Sequence, residues 1–97
     1  MSNVIRYYHD PDTGLPHIYG HGVREIEVEE VLAHPLENRP GANDSRIIIG
    51  RTRAGRLLKV IIVEDKVGPG IFVVTAYDVV GKALAAFRRR MRKRGRR

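Results

Sequence analysis

Three apolar runs, residues 46–52 (RIIIGRT), 57–64 (LLKVIIVE) and 71–77 (IFVVTAY), follow one another with short breaks. Each has strand length and is rich in Ile and Val, which predicts three consecutive strands. Arg53-Ala54-Gly55-Arg56 predicts a tight hairpin between the first two, and residues 65–70 a looser one between the second and third. If the first hairpin closes over 53–56, Thr52 faces Leu57, Arg51 faces Leu58, and Lys59 lies across from Gly50. Much of each run is apolar on both faces of the strand. Helices must therefore cover at least one side of the sheet.

The flanking segments supply those helices. Residues 4–8 (VIRYY) read as a further strand, stopped by the turn-forming stretch His9-Asp10-Pro11-Asp12-Thr13-Gly14. Residues 15–20 suggest a single helical turn. Residues 24–34 predict a helix, with Ile26, Val28, Val31 and Leu32 on its apolar side and Pro35 closing it. Its other side carries Glu25, Glu27, Glu29 and Glu30, and acids in the first turns suit the helix dipole. Residues 36–45 (LENRPGANDS) read as a loop. Val80, Leu84, Phe87 and Met91 recur at spacings of four, three and four, forming one helical stripe. The predicted class is α+β. An antiparallel sheet, made of the N-terminal strand plus three hairpin-connected strands, is packed by helices and followed by a basic C-terminal helix. One domain is expected over residues 1–94, with 95–97 as a frayed basic tail.

Charge is divided unevenly. Residues 88–97 carry eight of the eighteen Lys and Arg and no acid, whereas residues 1–87 hold ten Lys/Arg against eleven Asp/Glu. A near-neutral domain of net −1 thus bears a +8 extension, which accounts for the overall +7. Such a block attracts polyanions by releasing their counterions, and it also keeps a protein soluble. Arg88, Arg89, Arg92, Lys93 and Arg94 are the expected nucleic-acid contacts. The absence of cysteine excludes thiolate metal sites, disulfides and thiol nucleophiles. No apolar run approaches bilayer length, and the first residues lack signal-peptide character, so a cytoplasmic protein without membrane partners is expected.

Three groups of residues could carry chemistry. His17 and His21 stand four apart, the spacing of a metal-binding pair on a helix. Gly20 and Gly22 disfavour a helix there, however, and no metal site or cofactor is expected. Arg46, Arg51, Arg53, Arg56 and Lys59 form an acid-free basic cluster in the strands. Lys59 interrupts an apolar run, as an inward lysine protecting a strand edge does, or as a cation holding phosphate does. Thr75 and Tyr77 share a face by two-residue alternation at the end of the last strand.

His21-Gly22-Val23, the acidic helix ending in His34-Pro35, Ile49-Gly50-Arg51-Thr52 and Gly55-Arg56-Leu57-Leu58 together resemble the BrnT-type toxins. The resemblance spans residues 17–90 and extends to an uncharacterised sister group of such domains. It implies a RelE-like fold, metal-independent endoribonuclease activity on RNA, and inhibition by an antitoxin, commonly a ribbon-helix-helix protein. The chain departs from the pattern in two places. Thr75-Ala76-Tyr77 stands where the family has Ser-Ala-Arg, and the last helix has Phe87 and arginines in place of Glu and Tyr.

Metal-free RNA cleavage deprotonates the 2′-OH, stabilises charge on the phosphorane and protonates the leaving 5′-oxygen. On that reading Arg46, Arg51 or Arg56 stabilises charge, and His21 and Tyr77 move protons, with Lys59 as an alternative. Thr75 orients the phosphate. Histidine alone among these has an unperturbed pKa near neutrality. The rival expectation is a non-catalytic nucleic-acid or partner-binding module, a homodimer included. Deleting residues 88–97 is expected to abolish binding by such a module while sparing some cleavage by a nuclease.

Overall fold

The structure is a computed structural model that describes residues 4–95. Among these, strands β1 (Ile5–Tyr7), β2 (Pro35–Pro40), β3 (Arg46–Arg51), β4 (Leu57–Glu64) and β5 (Ile71–Asp78) form one sheet. Its order is β1-β5-β4-β3-β2. A 3₁₀ turn (His17–His21) and helix α1 (Glu25–Ala33) separate β1 from β2, and helix α2 (Gly81–Arg94) ends the described chain. The class is α+β, and the three apolar runs form consecutive antiparallel strands.

Two parts of the sheet differ from expectation. β1 runs parallel to β5, with Ile5 opposite Ile71 and Tyr7 opposite Val73, so the sheet is mixed rather than antiparallel. Residues 35–40 are a fifth strand, not the start of a loop, and pair with β3 from Glu37–Ile49 to Pro40–Arg46. β2 has proline at both ends and three polar residues in its middle, a composition that reads locally as loop. As an edge strand it tolerates prolines, because half of its backbone groups need no strand partner. The residues that make Glu37 compatible with burial lie on α2, more than fifty positions away.

The β3–β4 register is also shifted by one residue from expectation. Arg51 lies opposite Leu57, Gly50 opposite Leu58, and Ile49 opposite Lys59. The turn takes in Thr52 and Arg56 as well as the four expected residues. Thr52 N–H donates to the Arg56 carbonyl at 2.8 Å, and its Oγ1 accepts from Arg56 N–H at 3.0 Å. Gly55, at φ 91°, supplies the left-handed residue that closes it. On β5 a bulge follows, since Ile62 pairs with Val73 and Ile61 with Thr75, leaving Val74 as the extra residue. Beyond the bulge, Tyr77 falls directly opposite Lys59.

Both faces of the sheet are covered, as continuous apolar strands require. On one side Val28 and Val31 of α1, with Ile18 and Val23, pack on Ile48, Leu58, Val60, Ile62, Val73 and Ala76. The helix lies so close that a side chain at Gly50 would meet Val31 Cγ1 at 3.1 Å and the His34 carbonyl at 3.3 Å. On the other side Phe87, Leu84 and Met91 of α2 pack on Ile49, Leu57 and Val79. Val80, placed in the same stripe by spacing, is instead the exposed residue that precedes the helix. In α1 the expected apolar side is rotated: Ile26 is 49% exposed, whereas Glu27 is buried. α2 continues to Arg94 through most of the basic block. The frayed tail expected at 95–97 falls mainly on residues 96–97, which lie outside the described residues.

Candidate active site

β1 pairs with β5 only through residues 71–73, so the rest of that β5 edge is open to another segment. The 3₁₀ turn packs there. Ile18, 1% exposed, anchors it in the core. Gly22, at φ 68°, ends it in a left-handed cap, with its N–H on the Tyr19 carbonyl at 3.0 Å and Val23 N–H on Ile18 at 3.1 Å. His21, the residue before this cap, stands exposed at the rim.

The His21 ring meets the Tyr77 ring edge-on at 5.6 Å and the His17 ring at 5.2 Å. Lys59 Nζ lies 5.8 Å from the centre of the Tyr77 ring, close enough for a cation–π attraction of about 0.5–1 kcal/mol at such a surface site. On the far side of the row, His17 Nδ1 is 2.9 Å from Asp10 Oδ1, and the Tyr8 ring is 5.9 Å from that of His17. A row of proton-handling groups therefore runs Asp10, His17, His21, Tyr77, Lys59. Among the described residues, no group of three or more His, Asp or Glu is arranged to hold a metal ion.

His21, Tyr77 and Lys59, singled out in the sequence, are thus brought together. Thr75 lies two residues before Tyr77, opposite Ile61, and its buried Oγ1 has no hydrogen-bond partner among the described residues. Arg56 stands behind the row, fully engaged. Its Nε donates to Asp78 Oδ1 at 2.7 Å and its Nη2 to Asp78 Oδ2 at 2.9 Å. Its Nη1 reaches the Gly22 carbonyl at 2.8 Å and Glu27 Oε1 at 3.2 Å, and Nη2 the His21 carbonyl at 3.4 Å. Arg56 is a clamp on the backbone that carries His21, rather than a free cation. It explains the burial of Glu27: burial disfavours the charged carboxylate, but the Arg24 amide and Arg56 outweigh it and hold the carboxyl below its usual range. The hydrogen bonds from Arg56 lower Asp78 in the same way.

Arg46 and Arg51 are not part of the row. Arg46 Nε donates to Asn38 Oδ1 at 2.9 Å, opposite Ile62. Arg51 Nη1 donates to the Gly55 carbonyl at 3.1 Å. It lines a groove of about 410 Å³ between α1 and the β3–β4 turn, with Glu29, Glu30, His34 and Arg53. Asp10 and His17 join the row although sequence reasoning put neither among the candidate catalytic residues. Asp10 reads as a turn former and His17 only as half of a metal pair, and no linear signal marks them as partners of each other.

The basic helix divides into two sets. Arg88, Arg89, Arg92 and Lys93 are exposed. Arg90 and Arg94 turn inward to Glu37, whose side chain is fully buried. Arg90 binds it with both ends of its fork, Nε to Oε2 at 2.6 Å and Nη2 to Oε1 at 2.9 Å. Arg94 Nη2 lies 3.3 Å from Oε2, and Arg39 Nε 3.4 Å from Oε1. The Arg90 hydrogen bonds hold the Glu37 carboxyl below its usual range despite the opposing effect of burial. Arg94, expected on the nucleic-acid face, is thus partly spent on the fold.

No protein-family model matches this chain, and neither the curated proteins nor the solved structures contain a match to it. No helix among the described residues is long and apolar enough to cross a membrane.

Proposed function

We propose that this domain is a metal-independent endoribonuclease that cleaves RNA through its 2′-OH, a toxin-like enzyme of the cytoplasm neutralised by a cognate antitoxin. The observation that carries the reading is the convergence of His21, Tyr77 and Lys59 where the 3₁₀ turn packs beside β5. An imidazole is suited to proton transfer near neutral pH, and a lysine on the other side of Tyr77 supplies charge for a phosphorane. The engaged guanidinium of Arg56 and the remoteness of Arg46 and Arg51 leave Lys59 as the cation of the row. The exposed cations of α2 would hold the RNA backbone or an acidic inhibitor. The test is incubation of the purified chain with an end-labelled transcript in EDTA. Cleavage is expected, reduced at least about 100-fold by His21→Ala, the scale of lost acid–base catalysis. Tyr77→Phe and Lys59→Ala should lower it as well. Wild-type protein that leaves the transcript intact would overturn the reading, and cleavage indifferent to all three substitutions would move the site elsewhere.

One observation favours a second reading, a nucleic-acid-binding module without catalysis: four cations project from α2, while the arginine nearest the row is locked in the fold. Deleting residues 88–97 does not separate the readings, because it strips Arg90 and Arg94 from a buried carboxylate. Replacing Arg88, Arg89, Arg92 and Lys93 with glutamine does. A pure binder loses its affinity, whereas the nuclease keeps its turnover at saturating RNA.

A further inference from the structure

We infer that Asp10 and His17 form a second catalytic element, in which Asp10 positions His17 to protonate the leaving 5′-oxygen of RNA. The inference rests on the nuclease reading above and gives to His17 the acid's step that the sequence reading shared between His21 and Tyr77.

Both partners are held by backbone bonds rather than by chance side-chain contact. Asp10 N–H donates to the Leu15 carbonyl at 2.9 Å, and the Asp10 carbonyl accepts from Gly14 N–H at 2.7 Å. Gly14 takes the left-handed conformation, φ 72°, that lets this turn close. His17 N–H donates to the Tyr8 carbonyl at 2.8 Å, and an isolated bridge between His9 and Pro16 zips the two limbs of the loop together. The loop therefore presents the Asp10 carboxylate to His17 Nδ1 at 2.9 Å. An ionised carboxylate can only accept, so Nδ1 carries the hydrogen and Nε2 is left as the working nitrogen.

The two histidines of the row are unequal. His17 has a carboxylate behind it, which fixes the orientation of its ring and the nitrogen it presents. His21 has no side-chain hydrogen bond among the described residues and stands exposed, as a base that must approach a 2′-OH does. With the rings 5.2 Å apart, a phosphodiester laid along the row has one imidazole near each of its reacting oxygens. In the step proposed, His21 takes the 2′-OH proton and the 2′-oxygen forms its bond to phosphorus. The P–O5′ bond then breaks, and the 5′-oxygen takes the proton from His17 Nε2. The products are a 2′,3′-cyclic phosphate and a 5′-OH, and no oxidant, metal or co-reactant is consumed.

The test compares two substrates on the full chain: an RNA dinucleotide, whose leaving group needs a proton, and uridine 3′-(4-nitrophenyl phosphate), whose leaving group does not. His17→Ala is expected to lose at least about 100-fold on RNA and less than about tenfold on the nitrophenyl ester, the pattern of a missing general acid. Asp10→Asn should lose about tenfold on RNA alone. His21→Ala should fail on both substrates. The ¹⁵N imidazole resonances, read by NMR on the folded protein, report the positioning role directly: wild-type His17 should be the Nδ1–H tautomer when neutral, and Asp10→Asn should lose that preference. Equal losses on the two substrates would overturn the assignment of His17 as the acid. Unchanged RNA cleavage in His17→Ala and Asp10→Asn, with wild type active, would overturn this inference alone. Wild type inactive on both substrates would instead overturn the nuclease reading on which it rests.

Discussion

Replacing Arg90 with alanine removes the main counter-charge from a carboxylate that has no contact with water. The Glu37 side chain is 0% exposed and that of Arg90 33%. Breaking a buried ion pair from one side costs about 3–5 kcal/mol, because the remaining charge keeps its desolvation penalty. Here Arg39 and Arg94 remain within 3.4 Å and 3.3 Å and recover part of it. A loss of about 2–3 kcal/mol is therefore expected, below the full buried-pair range. For a domain of this length that lowers Tm by roughly 10–20 °C. Glu37 is ionised more easily in the fold than in the open chain. Its contribution is thus complete above the ordinary carboxylate range, and is lost as pH falls through the lower folded-state value. Without Arg90 that folded-state value rises toward the open-chain one, so the variant has less stability to lose on acidification. The gap between wild type and variant should be widest near neutrality and narrow below about pH 4. Thermal melts followed by circular dichroism at pH 7 and pH 3 measure both effects. Adding Glu37→Gln to Arg90→Ala should restore part of the loss by removing the stranded charge. A variant melting within about 3 °C of wild type at pH 7, less than 1 kcal/mol, would refute the anchoring role.

Three further outcomes are expected. Replacing Arg88, Arg89, Arg92 and Lys93 with glutamine should leave Tm unchanged within a few degrees, and should reduce the salt slope of single-stranded RNA binding by about 2–3, about 0.7 per lost phosphate contact. An unchanged slope in a filter-binding titration would place the RNA elsewhere. Arg56→Ala should destabilise far more than Arg51→Ala in urea denaturation, since Arg56 joins Asp78, Glu27 and two carbonyls whereas Arg51 reaches one exposed carbonyl. Comparable midpoints for the two would contradict the clamp. Gly70→Ala should yield little folded protein: at φ 109° the new Cβ would lie 2.0 Å from the Val4 carbonyl oxygen, where β1 joins β5. A soluble variant with wild-type melting would show that β1 is dispensable.

The sheet was legible in the sequence wherever burial was two-sided. Ile47, Ile48 and Ile49, or Val60, Ile61 and Ile62, have no amphipathic alternative, and turn residues mark their ends. β2 was not legible, because its one buried side chain is a glutamate and its partners are arginines on α2. A local window sees Pro, Glu, Asn and Arg, which is loop chemistry, and misses the tertiary pairing that overrides it. The hairpin register failed by one residue for a similar reason. The Thr52 hydroxyl takes the Arg56 N–H and draws both residues into the turn, and hairpin length alone does not encode that bond. At the candidate site, Lys59 was visible as the odd residue of its apolar run, and His21 and Tyr77 as candidates for proton transfer. Their adjacency depends on the β5 bulge, which adds one residue and sets Tyr77 against Lys59. Asp10 and His17 meet only because a loop folds back on itself.

Arg56 and Glu37 show how the two sides of this molecule are tied to its chemistry. Each is a charged residue drawn off the surface and surrounded by partners from segments distant in sequence. Arg56 gathers the end of the 3₁₀ turn, α1 and the end of β5, the segments that carry His21 and Tyr77. Glu37 gathers α2 onto the opposite strand edge and thereby sets which cations of the basic block face outward. An arginine fork suits such a role better than a lysine point charge, because in Arg56 one planar group meets two carboxylates and two carbonyls at fixed angles. The sequence clusters of basic residues therefore contain two physically different kinds. Arg56, Arg90 and Arg94 are held by internal acids and define shape, while Arg46, Arg51, Lys59, Arg88, Arg89, Arg92 and Lys93 have no acid paired to them among the described residues. Only the second kind has charge left to offer an RNA phosphate, and that difference, rather than the total of +7, governs where a polyanion would bind.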